Sequence, residues 1–441
     1  MVRQNLAIVV GAGLLSIFPH TSFAQKVPDA ALASPRPIAI TCATVLTMTH
    51  GAILNGTVLI ENGKIRAVGT NIAIPPDADV IDACGKFLTP GLINPHSHTG
   101  VYPLLGMQGN IDLSESQGNI HSDVRSLDAI DTADLEIPRA VSGGVTTLQI
   151  LPGSDNNVGG WTTVLKLNGA TQIEDAKFPG APPGMKWAWG ENPKVEHEGQ
   201  GDHPSTLMGE AATMRQRLLD AQAYVAKLKD WEDKGRKGAA PERNLELEGL
   251  AEVLAGRVRV HVHAYQTTQF EALFRLSDEF HFPIAAIHHA LEAYMVAPEL
   301  ARRKIGVVTF ADYWGYKIEA WNGIPQNAYL LWKNGVVVSM HTDSPVMEDR
   351  DYRMQASIAH HFGLPEEAAL QMVTINPAKI LGIEEHAGSV DPGKDADLVL
   401  WSGDPLELSS KAERVYIDGK LVYTPQEGFI PWKGRPGFLL Q

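Results

Sequence analysis

Two histidines follow an apolar run in the stretch GLINPHSH, residues 91–98. Residues i and i+2 of an extended strand point to the same side, so the imidazoles of His96 and His98 can share one metal ion. A single pair of this kind is also explained by two histidines that lie where a strand ends and bind no metal. The remaining histidines and acids must therefore decide between a metal site and a structural pair.

Further histidines and carboxylates end other apolar runs. They are His261 and His263 in VHVHAY, His288 and His289 in AIHHAL, His341 and Asp343 in SMHTDS, and Glu191 after a run that contains Lys186. Seven of the 16 histidines thus stand at the ends of four runs, which favours a metal site over histidines without a metal-binding role. Imidazole and carboxylate ligands suit zinc, and also manganese, iron or nickel, with one or two ions per chain.

Such ions polarise a carbonyl group and lower the pKa of bound water, which gives hydroxide at neutral pH. An aspartate at the end of the last run, Asp343, could accept the proton of the water and pass it to the leaving group. The residue types therefore predict metal-assisted hydrolysis.

The strands and helices that must position these residues have the pattern of a barrel. Eight short apolar runs alternate with helical patterns such as Thr206–Leu228 and Gln269–Glu279. The runs are Leu88–Ile93, Val145–Leu151, Thr163–Leu167, Met185–Trp189, Val258–Val262, Ile284–Ile287, Ile305–Phe310 and Val336–Met340. This predicts an α/β fold, a (β/α)8 TIM barrel over residues 90–385 with its chemistry at the carboxyl ends of the strands.

Both flanks of the barrel are rich in short strands. The N-terminal candidates are Ile38–Thr47, Thr57–Glu61 and Lys64–Val68, and the C-terminal ones are Ala396–Trp401, Arg414–Ile417 and Lys420–Tyr423. Asn62-Gly63 and Asp418-Gly419 are two-residue hairpin turns. We expect residues 25–89 and 386–441 to build one small β-sandwich, and the charged, Gly-rich segment 229–243 to be a surface loop.

The N-terminus has the pattern of a secretory signal peptide. Arg3 precedes the apolar stretch Leu6–Phe18, which is too short to cross a bilayer, and Ala24 ends a small-residue cleavage motif. We expect residues 1–24 to be removed and the protein to be periplasmic or secreted. No other stretch predicts a membrane span in the mature chain.

Composition limits the partners. The formal net charge of −14 argues against nucleic-acid binding, and 44% hydrophobic residues permit a large core. The two cysteines, Cys42 and Cys84, could form a disulfide in an exported protein, or each could be a small buried apolar residue. The expected partner is a small molecule or short peptide, and a homo-oligomer is possible.

The combined motifs resemble the amidohydrolase superfamily over nearly all of the mature chain. The resemblance lies in PGLI followed by His96-x-His98, in the histidines of the fifth and sixth strands, in the aspartate of the eighth, and in the closing segment TINPAKILGIEEHAGSVDPGKDADLVLW. GENPK at 190–194 and VHVHAY resemble the imidazolonepropionase-related branch.

The resemblance implies roles for individual residues. His96 and His98 would bind the more buried metal, His263 and His289 the more exposed one, and Asp343 would ligate the buried metal and act as acid and base. The bridging ligand would be Glu191, which we favour modestly, or a carbamylated Lys186.

For the residues next to these proposed ligands, the sequence predicts positions more than roles. His261 shares the strand parity of His263 and is expected deeper in the barrel as a hydrogen-bonded core histidine. His288 has the opposite parity to His289 and is expected to face a helix. His341 could orient Asp343 or touch substrate. Trp187 and Trp189 are expected to pack against the helix layer. His121 and Asn119, in the long loop after the first strand, are candidates for contact with substrate.

The sequence thus predicts an exported metal-dependent amidohydrolase. Its substrate would be a small peptide, an N-acyl compound or a cyclic amide. The alternative is a deaminase of a ring amidine, which often works with one metal and no bridge. A third hypothesis is a non-catalytic binding protein on this scaffold. Such proteins usually lack some of the metal-ligating residues, whereas every ligand position of the pattern is filled here.

Overall fold

A computed structural model describes residues 36–433 except 200, 202 and 314. The predicted signal peptide lies outside the described residues. The strands are β1 (Ile38–Leu46), β2 (Ala52–Glu61), β3 (Lys64–Gly69), β4 (Asp79–Asp82), β5 (Phe87–Pro90), β6 (Leu92–Ser97), β7 (Val145–Ile150), β8 (Val158–Lys166), β9 (Gly184–Ala188), β10 (Arg259–Ala264), β11 (Ile284–His289), β12 (Gly306–Thr309), β13 (Val338–Met340), β14 (Leu398–Trp401), β15 (Ala412–Ile417), β16 (Lys420–Thr424) and β17 (Gly428–Phe429).

Short 3-10 turns and eleven α-helices occupy the described residues between these strands. The helices are α1 (Glu136–Ser142), α2 (Ile173–Ala176), α3 (Glu191–Gly199), α4 (Leu207–Asp233), α5 (Leu245–Leu254), α6 (Thr267–Phe280), α7 (Ala297–Arg303), α8 (Asn327–Lys333), α9 (Tyr352–His361), α10 (Glu366–Gln371) and α11 (Ile375–Leu381). Within the described part of the chain, no helix is both long and apolar enough to cross a membrane.

Strands from the two flanks form one nine-stranded sheet, in the order β17-β16-β15-β14-β5-β1-β2-β3 with β4 beside β1. The antiparallel pair β5–β14 joins the two flanks, with Leu88 opposite Leu400. Side chains from both flanks share one apolar core, which includes Ile40, Val58 and Leu398. This sheet domain is therefore a joint product of both flanks, while the boundaries at 89/90 and 385/386 stay predictions.

The predicted hairpin turns are present. Asn62 and Gly63 have φ of 52° and 77°, and Asp418 and Gly419 have φ of 49° and 69°. Positive φ at both central residues is the requirement of the turn type that matches strand twist. The boundary predicted at residue 229 was wrong, since α4 continues to Asp233 before the charged loop begins.

The second sheet has eight strands, in the order β13 to β6, and its edges are bridged between Ser97 and Ser344. This arrangement confirms a TIM-barrel-like fold. The prediction of eight βα units was wrong at the third strand, because β8 runs antiparallel to both β7 and β9. Residues 151–157 are too few for the crossover of a dozen or more residues that a parallel strand needs, so the chain turns back as a hairpin.

A buried ion cluster connects the barrel to the sheet domain. The ammonium of Lys166, at the end of β8, lies 2.7 Å from Asp395 Oδ2, 3.1 Å from Asp397 Oδ2 and 2.5 Å from Asp418 Oδ1. Burial opposes the charge of Lys166, but the carboxylates outweigh it and raise the pKa of the lysine above its usual value. Burial raises the pKa of Asp397 to about 6.

Cys42 and Cys84 are joined by a disulfide. Of the two alternatives left open by the sequence, the structure therefore selects the bonded pair. The bond ties β1 to the segment between β4 and β5.

Candidate metal centre

The carboxyl ends of the barrel strands bring the predicted residues together. β6 delivers His96 and leads directly to His98, β10 delivers His263, and β11 ends at His289. Asp343 lies three residues beyond the end of β13. The four histidine side chains are buried.

Asp343 is the point on which these residues converge. Its Oδ1 lies 3.1 Å from His96 Nε2 and 3.2 Å from His98 Nε2. Its Oδ2 lies 3.9 Å from His289 Nδ1. Asp343 has a φ of 53°, in the left-handed region that non-glycine residues rarely adopt. Such strain at a convergent carboxylate is typical of a functional position.

The second ring nitrogen of His98 fixes its orientation. His98 Nδ1 donates to the carbonyl of Leu151 at 2.7 Å, which leaves Nε2 as the nitrogen that faces Asp343. A backbone acceptor on one nitrogen is the usual partner of a metal-binding imidazole, since it leaves the lone pair of the other nitrogen free.

His263 and His289 form a second group of donors. Their ring centroids lie 4.3 Å apart, and Tyr265 stacks on His289 with an interplanar angle of 6°. Both nitrogens of both rings are buried and have no hydrogen-bond partner among the described residues. Buried polar atoms are normally satisfied, so two imidazoles without partners fit a site that is completed by a cation.

The electrostatics favour neutral imidazoles around an ionised carboxylate. Burial holds the pKa of His96, His263 and His289 well below the usual value. Burial would raise the pKa of Asp343, but the adjacent imidazoles of His289 and His96 and the hydrogen bonds from His96 and His98 hold it well below its ordinary range. Neutral imidazole and carboxylate are the forms that bind divalent metals.

Of the two candidate bridges, Lys186 contacts the cluster. Its fully buried Nζ lies 3.3 Å from His96 Nε2 and 3.4 Å from the carbonyl of Pro152. Burial lowers the pKa of Lys186 to about 8. Glu191 begins α3, and its backbone N–H donates to Glu319 Oε1 at 2.7 Å. Its Oε2 is buried and has no hydrogen-bond partner among the described residues.

His341 belongs to the same cluster. Its ring stacks on His96 at 5.0 Å between centroids and lies 4.0 Å from the ring of Phe310. One nitrogen of His341, one of His96 and a carboxylate oxygen of Asp343 lie within 4.8 Å of one another.

The two loop candidates make other contacts. His121 Nε2 donates to the carbonyl of Gly118 at 3.1 Å, and Asn119 forms hydrogen bonds with Asn157. Their substrate-side roles stay predictions. Trp187 and Trp189 are fully buried in the main apolar core, and Trp187 packs on Phe282, as the strand parity predicts.

The expectation that His288 faces a helix was wrong. His288 Nδ1 lies 2.8 Å from His96 Nδ1, and His288 Nε2 lies 3.0 Å from His261 Nδ1, inside the barrel. His288 is in register with His263 of the neighbouring parallel strand, so regular alternation places both residues on the inner face. His289 is the residue that departs from alternation, because His289 and Ala290 have φ of 66° and 48° and this left-handed backbone lets His289 point inward as well. His261 is a buried, hydrogen-bonded histidine, as predicted.

Sequence reasoning missed Asp349. This fully buried carboxylate accepts hydrogen bonds from Asn94, Ser97 and Thr99 on one side and from Thr342 on the other. It thereby links the segment of His96 and His98 to the segment of Asp343. No spacing signal marks it, because DRDY resembles an exposed charged turn.

Comparisons with known proteins agree with this geometry. The profile of the Amidohydrolase family matches residues 326–422. An amidohydrolase from Thermotoga maritima MSB8, solved as a crystal structure, aligns with a TM-score of 0.83 at 36% identity over 88% of this chain and 100% of its own.

Two curated relatives extend the comparison. The amidohydrolase tasK of Hapsidospora irregularis is 38% identical over 388 residues, which cover 82% of this chain but 39% of tasK. The chain therefore spans well under half of that relative. An imidazolonepropionase of Thermoplasma acidophilum is 23% identical over 367 residues, 79% of this chain and 83% of the relative.

Proposed function

This chain belongs to the amidohydrolase superfamily, in its imidazolonepropionase-related branch, a group of hydrolases that act on carbon–nitrogen bonds, and on that premise we propose that it is an exported, metal-dependent amidohydrolase. The proposed reaction cleaves an amide-type C–N bond in a small peptide, an N-acyl compound or a cyclic amide. The observation that carries the proposal is the convergence of His96 and His98 on Asp343 beside the two histidines without partners.

The residues present fit a divalent metal centre, with zinc as the favoured ion. His96, His98 and Asp343 would hold one ion, and His263 and His289 a second. A bound ion supplies Lewis-acid polarisation of the scissile carbonyl and a lower pKa for the attacking water. The shielded position of the cluster excludes bulk water from the reacting groups.

Asp343 is the proposed acid and base. In the proposed reaction it accepts a proton from the attacking water and donates a proton to the departing nitrogen, so that the leaving group departs as a neutral amine. Its ionised state in the described structure suits the first of these steps, because only the carboxylate can accept the proton.

We propose Lys186 rather than Glu191 as the bridge between the two ions. The contact of Lys186 Nζ with His96 supports this choice, whereas Glu191 contacts Glu319 through its backbone. Carbamate formation joins Nζ of the ammonium form to the carbon of CO2 and releases two protons. It would turn a buried cation into an anion whose carboxylate oxygens are available as metal ligands.

His341 is the proposed substrate contact, because it lies against His96 and keeps both ring nitrogens free of partners among the described residues. The ring of Phe310 packs against His341, and Tyr265 stacks on the neighbouring His289. They would form an apolar wall beside the scissile bond.

Export is supported by the disulfide between Cys42 and Cys84, since structural disulfides persist in oxidising compartments such as the periplasm. Sequencing the N-terminus of protein from its native host should give Gln25 or a residue close to it. A retained Met1 would contradict export.

Two measurements test the activity. Metal analysis of the purified protein should give one to two equivalents. A panel of dipeptides, N-acyl amino acids, cyclic imides and imidazolonepropionate, which is included because of the named relatives, should identify a hydrolysed amide. Hydrolysis of ring amidines alone would favour the deaminase alternative.

Variants separate the roles of the site residues. His96→Ala should lose metal and activity together. Asp343→Asn should retain part of the metal while turnover falls by roughly 10²–10⁴, the usual value of a positioned proton acceptor.

The bridge has its own matched pair of variants. Lys186→Ala should lose metal and recover some activity with a short carboxylic acid, whereas Glu191→Gln should keep its metal content. The reverse pattern would assign the bridge to Glu191. Full metal content and activity in His96→Ala would contradict the proposed centre.

A further inference from the structure

Three buried histidines form a hydrogen-bonded row behind the candidate metal centre. His96 Nδ1 contacts His288 Nδ1 at 2.8 Å, and His288 Nε2 contacts His261 Nδ1 at 3.0 Å. All three side chains are fully buried. The row begins at a proposed metal ligand and runs down the inside of the barrel along β10 and β11.

The hydrogen bonds of the row couple the tautomers of its members. A neutral imidazole carries one proton, so one nitrogen donates and the other accepts. Each contact in the row joins two ring nitrogens, and one of each pair must donate. The choice made at His96 therefore fixes the choice at His288, and through it the choice at His261.

Two proton arrangements satisfy every contact. When His96 carries its proton on Nε2, facing Asp343, its Nδ1 accepts from His288 Nδ1, and His288 Nε2 accepts from His261 Nδ1. When His96 Nε2 is reserved for a cation, all three protons move to the other nitrogen. His96 Nδ1 then donates to His288, and His288 Nε2 donates to His261. The number of protons is three in both arrangements.

We propose that His288 and His261 are positioning residues that hold His96 in the metal-binding tautomer and orientation, and so set the affinity of the centre for divalent metal. This inference rests on the proposed metal-dependent function. The usual partner of a metal-binding imidazole is a carboxylate, a backbone carbonyl or water. His98 follows that rule through Leu151, whereas His96 has a second histidine in that place.

Substitutions at the two positions should have graded effects. His288→Leu removes the acceptor from His96 and should weaken zinc binding by roughly 10–100-fold, the range seen for such outer partners. His288→Asn places an amide oxygen near the position of Nδ1, keeps the acceptor and should stay near wild-type affinity. His261→Leu frees His288 to adopt either tautomer and should give an intermediate loss.

A matched control is available in His197. It is equally buried and, among the described residues, makes one hydrogen bond, to Asn156 Oδ1 at 3.0 Å, outside the row. His197→Leu should lower the free energy of unfolding while zinc affinity is unchanged. Zinc affinity is measured on the full chain by competition with a chromophoric chelator, and unfolding of each metal-free variant is followed in urea.

A second measurement is made on the wild-type protein. Nitrogen-15 NMR of histidine-labelled wild-type protein distinguishes protonated from unprotonated ring nitrogens. On addition of zinc, the protons of His288 and His261 should reside on Nε2, with variant spectra serving only for assignment.

The outcomes are distinct. Wild-type zinc affinity in His288→Leu, or a proton on His288 Nδ1 in the zinc-loaded protein, would overturn this inference and leave the proposed function standing. A wild-type protein that binds no divalent metal would overturn both.

Discussion

Replacement of Asp349 by leucine tests how the two halves of the site are held together. Asp349 Oδ1 accepts from Asn94 Nδ2 at 2.7 Å and from Thr342 Oγ1 at 2.5 Å. Its Oδ2 accepts from Ser97 Oγ at 2.7 Å and from Thr99 Oγ1 at 2.8 Å. Leucine fills the same space but offers no acceptor to any of these four donors.

The magnitude follows from the donors left without a partner. Ser97 and Thr99 lie 3.0 Å apart through their hydroxyl oxygens, so one of them can donate to the other, and the second hydroxyl loses its acceptor. One N–H of Asn94 and the hydroxyl of Thr342 lose theirs as well. A buried donor without an acceptor costs about 1–3 kcal/mol, so three of them predict a loss of about 3–9 kcal/mol in the free energy of unfolding.

Urea unfolding measures this loss, and zinc affinity should fall with it because Ser97 lies between two proposed ligands and Thr342 precedes Asp343. Asp349→Asn keeps the shape and one acceptor oxygen, and should lose about 1–2 kcal/mol. Asp351, which lies two residues along the chain and has a side chain that is 45% exposed, provides the control: Asp351→Asn should change stability by less than about 0.5 kcal/mol. A leucine variant as stable as that control would refute the role of Asp349 as a link.

Three further predictions concern the rest of the fold. Lys166→Met leaves three carboxylates, of Asp395, Asp397 and Asp418, whose oxygens lie within 4.8 Å of one another, and should destabilise the protein by about 3–5 kcal/mol at pH 7. Stability should recover in part as the pH falls and Asp397 becomes protonated. A loss that does not depend on pH would contradict the role of Lys166 in neutralising these carboxylates. Cys42→Ser with Cys84→Ser opens a loop of 42 residues and should cost about 4 kcal/mol in urea unfolding, and an unchanged midpoint would contradict this. Burial raises the pKa of Glu136 from 4.5 to about 7, so the contribution of this side chain to stability is complete below pH 4.5 and is lost as the pH rises through 7. Relative to Glu136→Gln, the wild type should lose at most about 3 kcal/mol in the free energy of unfolding over that interval. Parallel curves of stability against pH for the two proteins would rule this out.

The sequence predicted the elements wherever a strong local pattern coincided with the final fold. Each of the eight predicted runs overlaps a barrel strand, although Leu88–Ile93 also contains the last three residues of β5, which belongs to the other sheet. Asn62-Gly63 and Asp418-Gly419 are turns with positive φ. The direction of β8 was not predictable from its apolar pattern, since that pattern is the same in parallel and antiparallel strands. The sequence pattern began this strand at Thr163, whereas β8 begins at Val158, so the connection of residues 151–157, which is too short for a crossover, was not recognised.

Within the site, the residues that share strand parity were the predictable ones. His96 and His98 converge on Asp343 as the i, i+2 spacing requires. The choice between Lys186 and Glu191 was not open to the same reasoning, because it depends on how far each side chain reaches across the barrel. That distance is set by the packing of neighbouring strands and not by the local pattern.

His289 shows why strand parity fails where the chemistry is placed. Period-two alternation holds only while the backbone is extended, and here it ends with the left-handed residues His289 and Ala290. Catalytic groups of a barrel lie at these same strand ends, where the chain leaves the sheet for a loop. The departure from parity is therefore part of how the site is built. His288 keeps the regular register beside His263 and so faces His96, whereas the left-handed backbone turns His289 inward, where a regular strand would have directed it to the helix layer.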